Sequence, residues 1–415
     1  MLLSAFASPP SESSPSTTAA NVGNAPEKAP PPQDQDADEA QETEAGSDEL
    51  IVPSRVKAPP IASAVSLPRS KDILARAKRD GSGHLVVAGK GGDDVLTINP
   101  ALQEKLTRTL ESYGTPYGAV VVLEPSTGRV LAMAEHSKAN PAMRGLTTKA
   151  IFPAASVFKI VTASALLNEG VTPDATACFH GGKRNISAKM LEDSRKDSRC
   201  MSLTNALARS ANGIFAKLTH RYLTAQKLKG FAAAYHFNEP MDFPIPTDTS
   251  LAAVPDDALG LAATGAGFGD VFMSPLHGAL IASVAANGGL WRKPVLFERD
   301  VLTEGEPERV ISEGDAAKLA HMMGETVRVG TARRAFSQRG FALKDAAGKT
   351  GSLADKSPFR DYSWFVGYAP REHPKVAVAA IIVNDYKWRI RAPWLAREAM
   401  RLYLEDLNQR AISAR

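Results

Sequence analysis

Apolar residues recur with two different periods along this chain, and the change of period predicts where helices give way to strands. A helical stretch opens at Pro100, with leucines at every fourth position. The pattern then predicts a hairpin, because apolar runs at 119–123 and 130–134 flank the turn 125–128. The first regular part of the chain is therefore a helix followed by two paired strands.

The middle of the chain is predicted to be helical and its end to return to strands. The segment Pro153–Glu169 is apolar on nearly every side, as in a buried helix, and Gly170 ends it. Residues 361–368 and 375–383 predict paired strands, and 393–407 a closing amphipathic helix. This order predicts an α+β domain in which one antiparallel sheet is built from both ends and a mostly helical region is inserted.

Composition divides the chain into three segments. Residues 1–70 are rich in Pro, Ser and acidic residues, which predicts a disordered acidic N-terminal segment. Residues 71–99 form a short lead-in with two β-like pieces, and 100–412 form the predicted domain. Residues 1–50 hold ten acidic residues and one basic residue, a net charge of −9. Since the whole chain carries a net charge of +4, residues 51–415 carry +13.

The charge and the two cysteines leave several alternatives open. A basic body suits an anionic neighbour, such as nucleic acid, a membrane surface or a cell envelope, and it also suits an ordinary soluble surface. Cys178 and Cys200 are either bridged in an oxidising compartment or free thiols.

The longest apolar run, 376–383, is too short to span a bilayer. The start MLLSAFASPP is weak as a signal peptide, and no Cys/His zinc spacing predicts a metal or cofactor.

The most informative string is Ser156-Val-Phe-Lys159, because positions i and i+3 share one face of a helix. A serine hydroxyl becomes a good nucleophile when a base removes its proton. Lys159 can be that base only when neutral, so its pKa must fall by about 3 units. Burial and the second cation Lys349 would lower it, and Pro153 predicts that Ser156 lies in the first helical turn. A similar string at 54–57 lies in a Pro-flanked segment that is not expected to be helical.

Ser210-Ala-Asn212 opens or interrupts the helical stretch 203–218. Its hydroxyl can relay a proton between lysines and a leaving group. Its amide can hold both Lys159 and a substrate peptide group, since an amide donates and accepts. Taken alone, the string would more often be a helix cap and a polar surface position.

The third string, Lys349-Thr350-Gly351-Ser352, is predicted to form an edge strand. Lys349 and Thr350 would bind a carboxylate. Gly351 would let an extended ligand lie close to the backbone and pair as an added strand. The backbone N–H groups of Ser156 and Ser352 would form an oxyanion hole.

Other hydrolase and nucleotide-binding motifs fit the chain poorly. Gly348-Lys-Thr350 imitates the end of a phosphate-binding P-loop, but Leu343 stands where that motif needs glycine, and strand signals follow it. The sequence has no G-x-S-x-G or H-E-x-x-H motif, so a histidine triad or a zinc hydrolase lacks its key residues.

Together, and in this order, the three strings resemble the signature set of penicillin-binding proteins. Four further sequence segments are also similar to that family: 97–103, 119–128, 263–275 and 363–369. The resemblance implies a β-lactamase/transpeptidase-like fold and D-Ala-D-Ala stem peptides as donors. Ser156 would attack the penultimate carbonyl, expel D-alanine and pass the acyl group to an amine or to water. Penicillins would be covalent inhibitors that trap Ser156.

The predicted function is thus a peptidoglycan D,D-transpeptidase that forms an acyl-enzyme on Ser156. The alternatives are a D,D-carboxypeptidase, a serine β-lactamase of the same fold, and a non-catalytic β-lactam sensor or scaffold. Peptidoglycan stem peptides and β-lactams are the expected partners, with no nucleic acid, and association with a membrane or cell-wall machinery is left open. A periplasmic or other extracytoplasmic location is inferred from the function alone.

Overall fold

The computed structural model describes residue 61 and residues 64–180, 186–301, 303, 305–339 and 342–413. The helices are α1 Ile73–Arg76, α2 Pro100–Tyr113, α3 Lys159–Asn168, α4 Leu203–Arg209, α5 Asn212–Tyr222, α6 Ala225–Ala234, α7 Ala258–Gly265, α8 Pro275–Ala286, α9 Glu313–Arg328, α10 Arg333–Phe336 and α11 Ala392–Ser413. The strands are β1 Lys78–Arg79, β2 Leu85–Gly89, β3 Gly92–Val95, β4 Tyr117–Leu123, β5 Val130–His136, β6 Phe152–Pro153, β7 Thr176–Phe179, β8 Arg199–Ser202, β9 Leu251–Ala252, β10 Val271–Met273, β11 Leu290–Trp291, β12 Glu308–Arg309, β13 Ala347–Lys356, β14 Phe359–Ala369 and β15 Val376–Asn384. Short 3-10 helices cover Ala155–Phe158, Ala188–Met190 and Glu298–Asp300.

The central sheet joins the two ends of the domain. Its five strands lie in the order β13-β14-β15-β4-β5, and every neighbouring pair is antiparallel. Val383 pairs with Tyr117, so the strands before and after the helical region meet in the middle of the sheet. The predicted α+β fold with an inserted helical region is confirmed, and β13 is an edge strand as predicted.

Both faces of this sheet are buried, and successive residues of each strand serve opposite faces. On β4, Val121 packs with the larger core formed by the inserted helices. Its neighbour Val122 packs with the smaller core, to which α2 and α11 contribute. The leucines of α2 at spacing four are all buried there, as the helical period requires. The sheet is therefore a rigid layer between two layers of helices.

The inserted region connects β5 to β13 and contains seven of the longer helices, α3 to α9. Its central helix, α3, is buried along all of its residues except Asn168. A helix that is apolar on every side is stable only inside a larger helical layer, and α3 has such a position. It ends as the sequence predicts, with Gly170 in the left-handed conformation at a φ of 82°.

The lead-in contains α1 and a small antiparallel sheet, β1-β2-β3. Residues 1–60, most of the segment predicted to be disordered, lie outside the described residues. Of the rest of that segment, Leu67 is buried and its N–H donates to the Arg144 carbonyl. The proposed boundaries at 70 and 100 remain predictions. Across the described part of the chain, we find no helix both long and apolar enough to cross a bilayer.

Candidate active site

Ser156 lies in a tight 3-10 turn, and the predicted helix start at Pro153 is wrong. Pro153 belongs to β6 and pairs with Phe272 of β10, so strand pairing holds it in an extended conformation. The φ of Ala155 is +48°, a left-handed value that interrupts any helix before Ser156. The 3-10 turn then passes into α3, whose first residue is Lys159. Ser156 and Lys159 still come together, because residues three apart lie above one another in a 3-10 turn.

The Lys159 amine is enclosed by three oxygen atoms. Its Nζ lies 2.8 Å from Ser156 Oγ and 2.8 Å from Asn212 Oδ1, and it also contacts the Ala266 carbonyl oxygen. A neutral amine has two N–H donors and one lone pair. When Asn212 and Ala266 accept the two donors, the lone pair is left for the Ser156 hydroxyl. This geometry suits proton removal from Ser156 by a neutral lysine.

Both lysines of the predicted site are completely buried. Burial lowers the pKa of Lys159 well below its usual value, and the nearby Lys349 charge lowers it further. Burial lowers the pKa of Lys349 to about 7. The environment of Lys159 therefore favours the uncharged amine that could remove the Ser156 proton, and burial contributes more to this than the Lys349 charge does.

Ser210 and Asn212 lie at the break between α4 and α5. Ser210 has a φ of +58° and ends α4, while Asn212 is the first residue of α5. The Lys349 ammonium donates to Ser210 Oγ over 2.9 Å. Asn212 is hydrogen-bonded to Lys159 and Ser210 is hydrogen-bonded to Lys349, so residues of this one break contact both lysines.

Lys349 and Thr350 lie on the edge strand β13, with Lys349 also donating to the Thr350 carbonyl over 2.8 Å. The Thr350 hydroxyl lies 2.5 Å from the hydroxyl of Thr331, which is exposed just after α9. Thr331 is a residue that sequence reasoning missed. Its string, Gly330-Thr-Ala, has no chemical signature by itself, and the contact joins residues nineteen apart.

Gly351 and Ser352 continue β13 past the Ser156 turn. A Cβ on Gly351 would lie 3.2 Å from the Ala154 carbonyl oxygen and from the Val157 side chain. A side chain here would press tightly on the protein's own turn, which favours glycine for a reason that the sequence did not reveal. Ser352 is exposed on the outer edge of the strand, and its backbone pairs with Ser363 on the inner side.

The segment 263–275 has a structural role that the sequence left unassigned. Ala266 supplies the carbonyl that faces Lys159. Gly267, with a φ of +85°, packs so closely that a Cβ would lie 2.5 Å from the Ala155 carbonyl oxygen. The two glycines of its Gly-Ala-Gly string were a usable signal, because a positive φ and a close approach both favour glycine.

A disulfide-linked hairpin packs against the beginning of α5. Cys178 and Cys200 are directly opposite each other on β7 and β8 and are bridged, which resolves the alternative left open above. Phe179, next to Cys178, fills the space beside Gly213, where a Cβ would lie 2.7 Å from the ring. The hairpin therefore contacts the residue that follows Asn212.

Charged groups hold the same hairpin and its loop to α5. Lys217, one turn after Gly213 and 1% exposed, pairs with Asp197 and lies 3.3 Å from Asp193. Arg221, a further turn along, donates to Asp193 over 2.9 Å. The hydrogen bond from Lys217 and then that from His180 hold the pKa of the Asp197 carboxyl well below its usual range. One face of α5 is thus braced along its length.

The described residues contain no group of three or more His, Cys, Asp or Glu side chains arranged to hold a metal ion.

Comparison with known proteins gives one consistent family. The family profile described as "Penicillin binding protein transpeptidase domain" matches residues 118–401. Peptidoglycan D,D-transpeptidase PbpA of Mycobacterium tuberculosis is 29% identical over 340 residues, covering 71% of this chain and 68% of that protein. The crystal structure of PBPA from M. tuberculosis has a TM-score of 0.59 at 26% identity, covering 75% of this chain and 81% of that one. Its imipenem acyl-enzyme complex has a TM-score of 0.58 at 26% identity, covering 74% and 79%. The profile match contains all three strings, and the chain therefore belongs to the penicillin-binding protein transpeptidase family.

Proposed function

We propose that this chain is a peptidoglycan D,D-transpeptidase that cross-links stem peptides through an acyl-enzyme on Ser156. Family membership makes it a D,D-transpeptidase and a serine acyltransferase. The observation that carries the proposal for this site is the 2.8 Å contact between Ser156 Oγ and the completely buried Nζ of Lys159.

In the first step, neutral Lys159 takes the Ser156 proton as Oγ attacks the penultimate carbonyl of the donor peptide. The backbone N–H groups of Ser156 and Ser352 bind the oxyanion. The leaving D-alanine amine receives a proton through Ser210, which is hydrogen-bonded to Lys349. An amine of a neighbouring stem then attacks the ester. Its proton passes through Ser210 to Lys349, and Lys159 returns its proton to Ser156 Oγ as the serine leaves.

Lys349 and Thr350 hold the carboxylate of the donor. Lys349 provides charge and Thr350 a hydroxyl donor. Thr331 lies close enough to orient that hydroxyl, and we assign it as a positioning residue for the carboxylate. Asn212 holds the donor's peptide group while its Oδ1 accepts from Lys159.

We place the reaction outside the cytoplasmic membrane. The only two cysteines of the chain form a disulfide, and disulfides persist in oxidising compartments. Uncross-linked cell wall, the substrate of the reaction, lies in such a compartment.

The direct test is labelling of the purified chain with a fluorescent penicillin over a time course. The proposal predicts a long-lived covalent adduct that Ser156→Ala abolishes. Rapid release of the label with turnover of the drug would instead indicate a β-lactamase. A wild-type chain that is folded but never labelled would indicate a scaffold. Release of D-alanine without cross-linked product from natural donors would indicate a carboxypeptidase.

A further inference from the structure

Two exposed aromatic side chains, Tyr386 and Trp388, lie near the end of the edge strand that is remote from Lys349, and Tyr386 stacks on the half-buried Phe359. The strand β13 passes from Lys349 to Lys356 and returns as β14 at Phe359. Tyr386, just after β15, stacks on Phe359 with ring centroids 4.6 Å apart and 18° between the planes. Tyr386 is 82% exposed and Trp388 is 42% exposed. We call Phe359, Tyr386 and Trp388 the aromatic platform.

The platform is held in place although it faces solvent. The Arg391 guanidinium lies 3.5 Å from the centre of the Trp388 ring, and Arg389 pairs with Asp385 over 2.9 Å. Stacking on Phe359 fixes one face of Tyr386 and leaves the other open. Large aromatic rings that are exposed and yet held in place by neighbours are typical of interaction sites. Burying such rings in the core would stabilise the fold, so their exposure suggests that they bind another molecule.

The direction of the edge strand determines what part of the substrate reaches the platform. A donor that pairs antiparallel with β13 has its C-terminal carboxylate at Lys349 and Thr350 and runs towards Lys356. The seven residue steps from Lys349 to Lys356 span ~23 Å, and a stem of about five residues spans ~17 Å. The sugar-bearing end of the stem therefore lies on the platform's side of the strand, ~6 Å short of Lys356, and the glycan strand that continues from it can cover the remaining distance.

We propose that the aromatic platform binds the glycan strand to which the donor peptide is attached. This inference rests on the proposed function. The C–H faces of pyranose rings are apolar and pack on flat aromatic rings, and the open face of Tyr386 offers such a surface. A phospholipid surface also attracts Trp and Tyr, but the position of the platform at the end of the donor's path favours sugar.

The experiment compares two donors, the free stem peptide and the same peptide on an uncross-linked glycan strand. In the full chain, Tyr386→Ala with Trp388→Ala is expected to raise KM for the glycan-linked donor about tenfold, equivalent to ~1.4 kcal/mol. The kcat, the KM for the free peptide and the rate of acylation by penicillin should stay within about twofold. Tyr386→Phe, which keeps the ring, should retain the wild-type KM. Tyr222→Ala is the matched control, because Tyr222 is exposed to the same 42% as Trp388.

Two results would overturn the platform and leave the proposed function intact: an equal loss with both donors, or an unchanged KM for the glycan-linked donor. Loss of binding to anionic phospholipid vesicles with an unchanged KM would assign the surface to a membrane and reject the glycan. A wild-type chain that reacts with neither penicillin nor either donor would reject the proposed function and this inference together.

Discussion

In the proposed mechanism, the charge of the Lys159 amine decides whether Ser156 can react. Lys159 Nζ has no exposure to water and lies near the Lys349 charge, so its neutral form is stabilised relative to its ammonium form. The local turn places the amine and the hydroxyl together, whereas the low pKa comes from residues distant in the chain. Both contributions can be tested by single substitutions.

Lys349→Met is expected to move the acid limb of the acylation rate to higher pH. The Lys349 charge lowers the pKa of Lys159, so its removal raises that pKa and reduces the fraction of neutral amine at a given pH. The shift should be modest, because burial is the larger cause. The measurement is the second-order rate constant for penicillin acylation from pH 5 to 10. An acid limb that stays in place would show that Lys349 does not influence Lys159.

Gly351→Ala is expected to slow acylation and to destabilise the fold by ~1–3 kcal/mol. The added Cβ would press on the turn that carries Ser156. The control is Gly81→Ala, since no atom lies within 4 Å of a Cβ at Gly81. Acylation rates and urea unfolding of both variants test this. If the two variants were equally active and stable, the close approach of β13 to the turn would not matter.

At the level of elements, the disulfide hairpin and the loop between its two strands keep the start of α5 in place. Gly213, Lys217 and Arg221 lie on one face of α5, and each contacts that hairpin or loop. The helix begins at Asn212, which accepts from Lys159. Displacement of α5 would therefore move an acceptor of the Lys159 amine.

Lys217→Met is expected to lower the acylation rate roughly 10- to 100-fold, because small displacements of a reacting group have large effects. In an Asn212→Ala background the same change should have no further effect, since Lys217 acts through Asn212. Arg397→Met is the control, because Arg397 is also a buried cation but lies on α11 and donates to Ala335 and Gln338. It should lower the melting temperature and leave acylation unchanged. Equal losses from Lys217→Met in both backgrounds would contradict the positioning role.

Local patterns predicted most of these elements, and non-local contacts explain the remainder. Periodicity located α2, whose buried leucines recur at every fourth position. Apolar runs located the β4–β5 hairpin and the β14–β15 pair, because these strands are buried on both faces. The false helix start at Pro153 arose because its partner, Phe272, is distant in the chain. The three strings located the lysines and Ser156. Ala266 and Thr331 lie outside any chemical motif, so only the folded chain shows their contacts.

For the whole molecule, the site lies where both halves of the domain meet, and its buried lysines link function to stability. The sheet combines strands from 117–136 and 347–384, and the inserted helices carry the first two strings. Packing this many groups around the two amines lowers the pKa of each on folding. The free energy of unfolding should therefore depend measurably on pH.

The free energy of unfolding is expected to rise between about pH 7 and the unfolded lysine pKa of about 10.4. Folding lowers the pKa of Lys349 to about 7, so in this window the unfolded chain binds a proton that the folded chain lacks. The rise is at most ~1.4 kcal/mol per pH unit for one group. The free energies of unfolding of the wild type and of Lys349→Met are measured in urea at several pH values. The difference between them isolates this effect. A difference that is flat across the window, or that falls with pH, would contradict the assignment.

The central claim, that Ser156 is the acylated nucleophile, is tested most directly by mass spectrometry of the intact chain after exposure to benzylpenicillin, followed by peptide mapping. We predict one adduct per chain, located on the peptide that contains Ser156. An adduct on another residue, or a folded chain that carries none, would contradict the account.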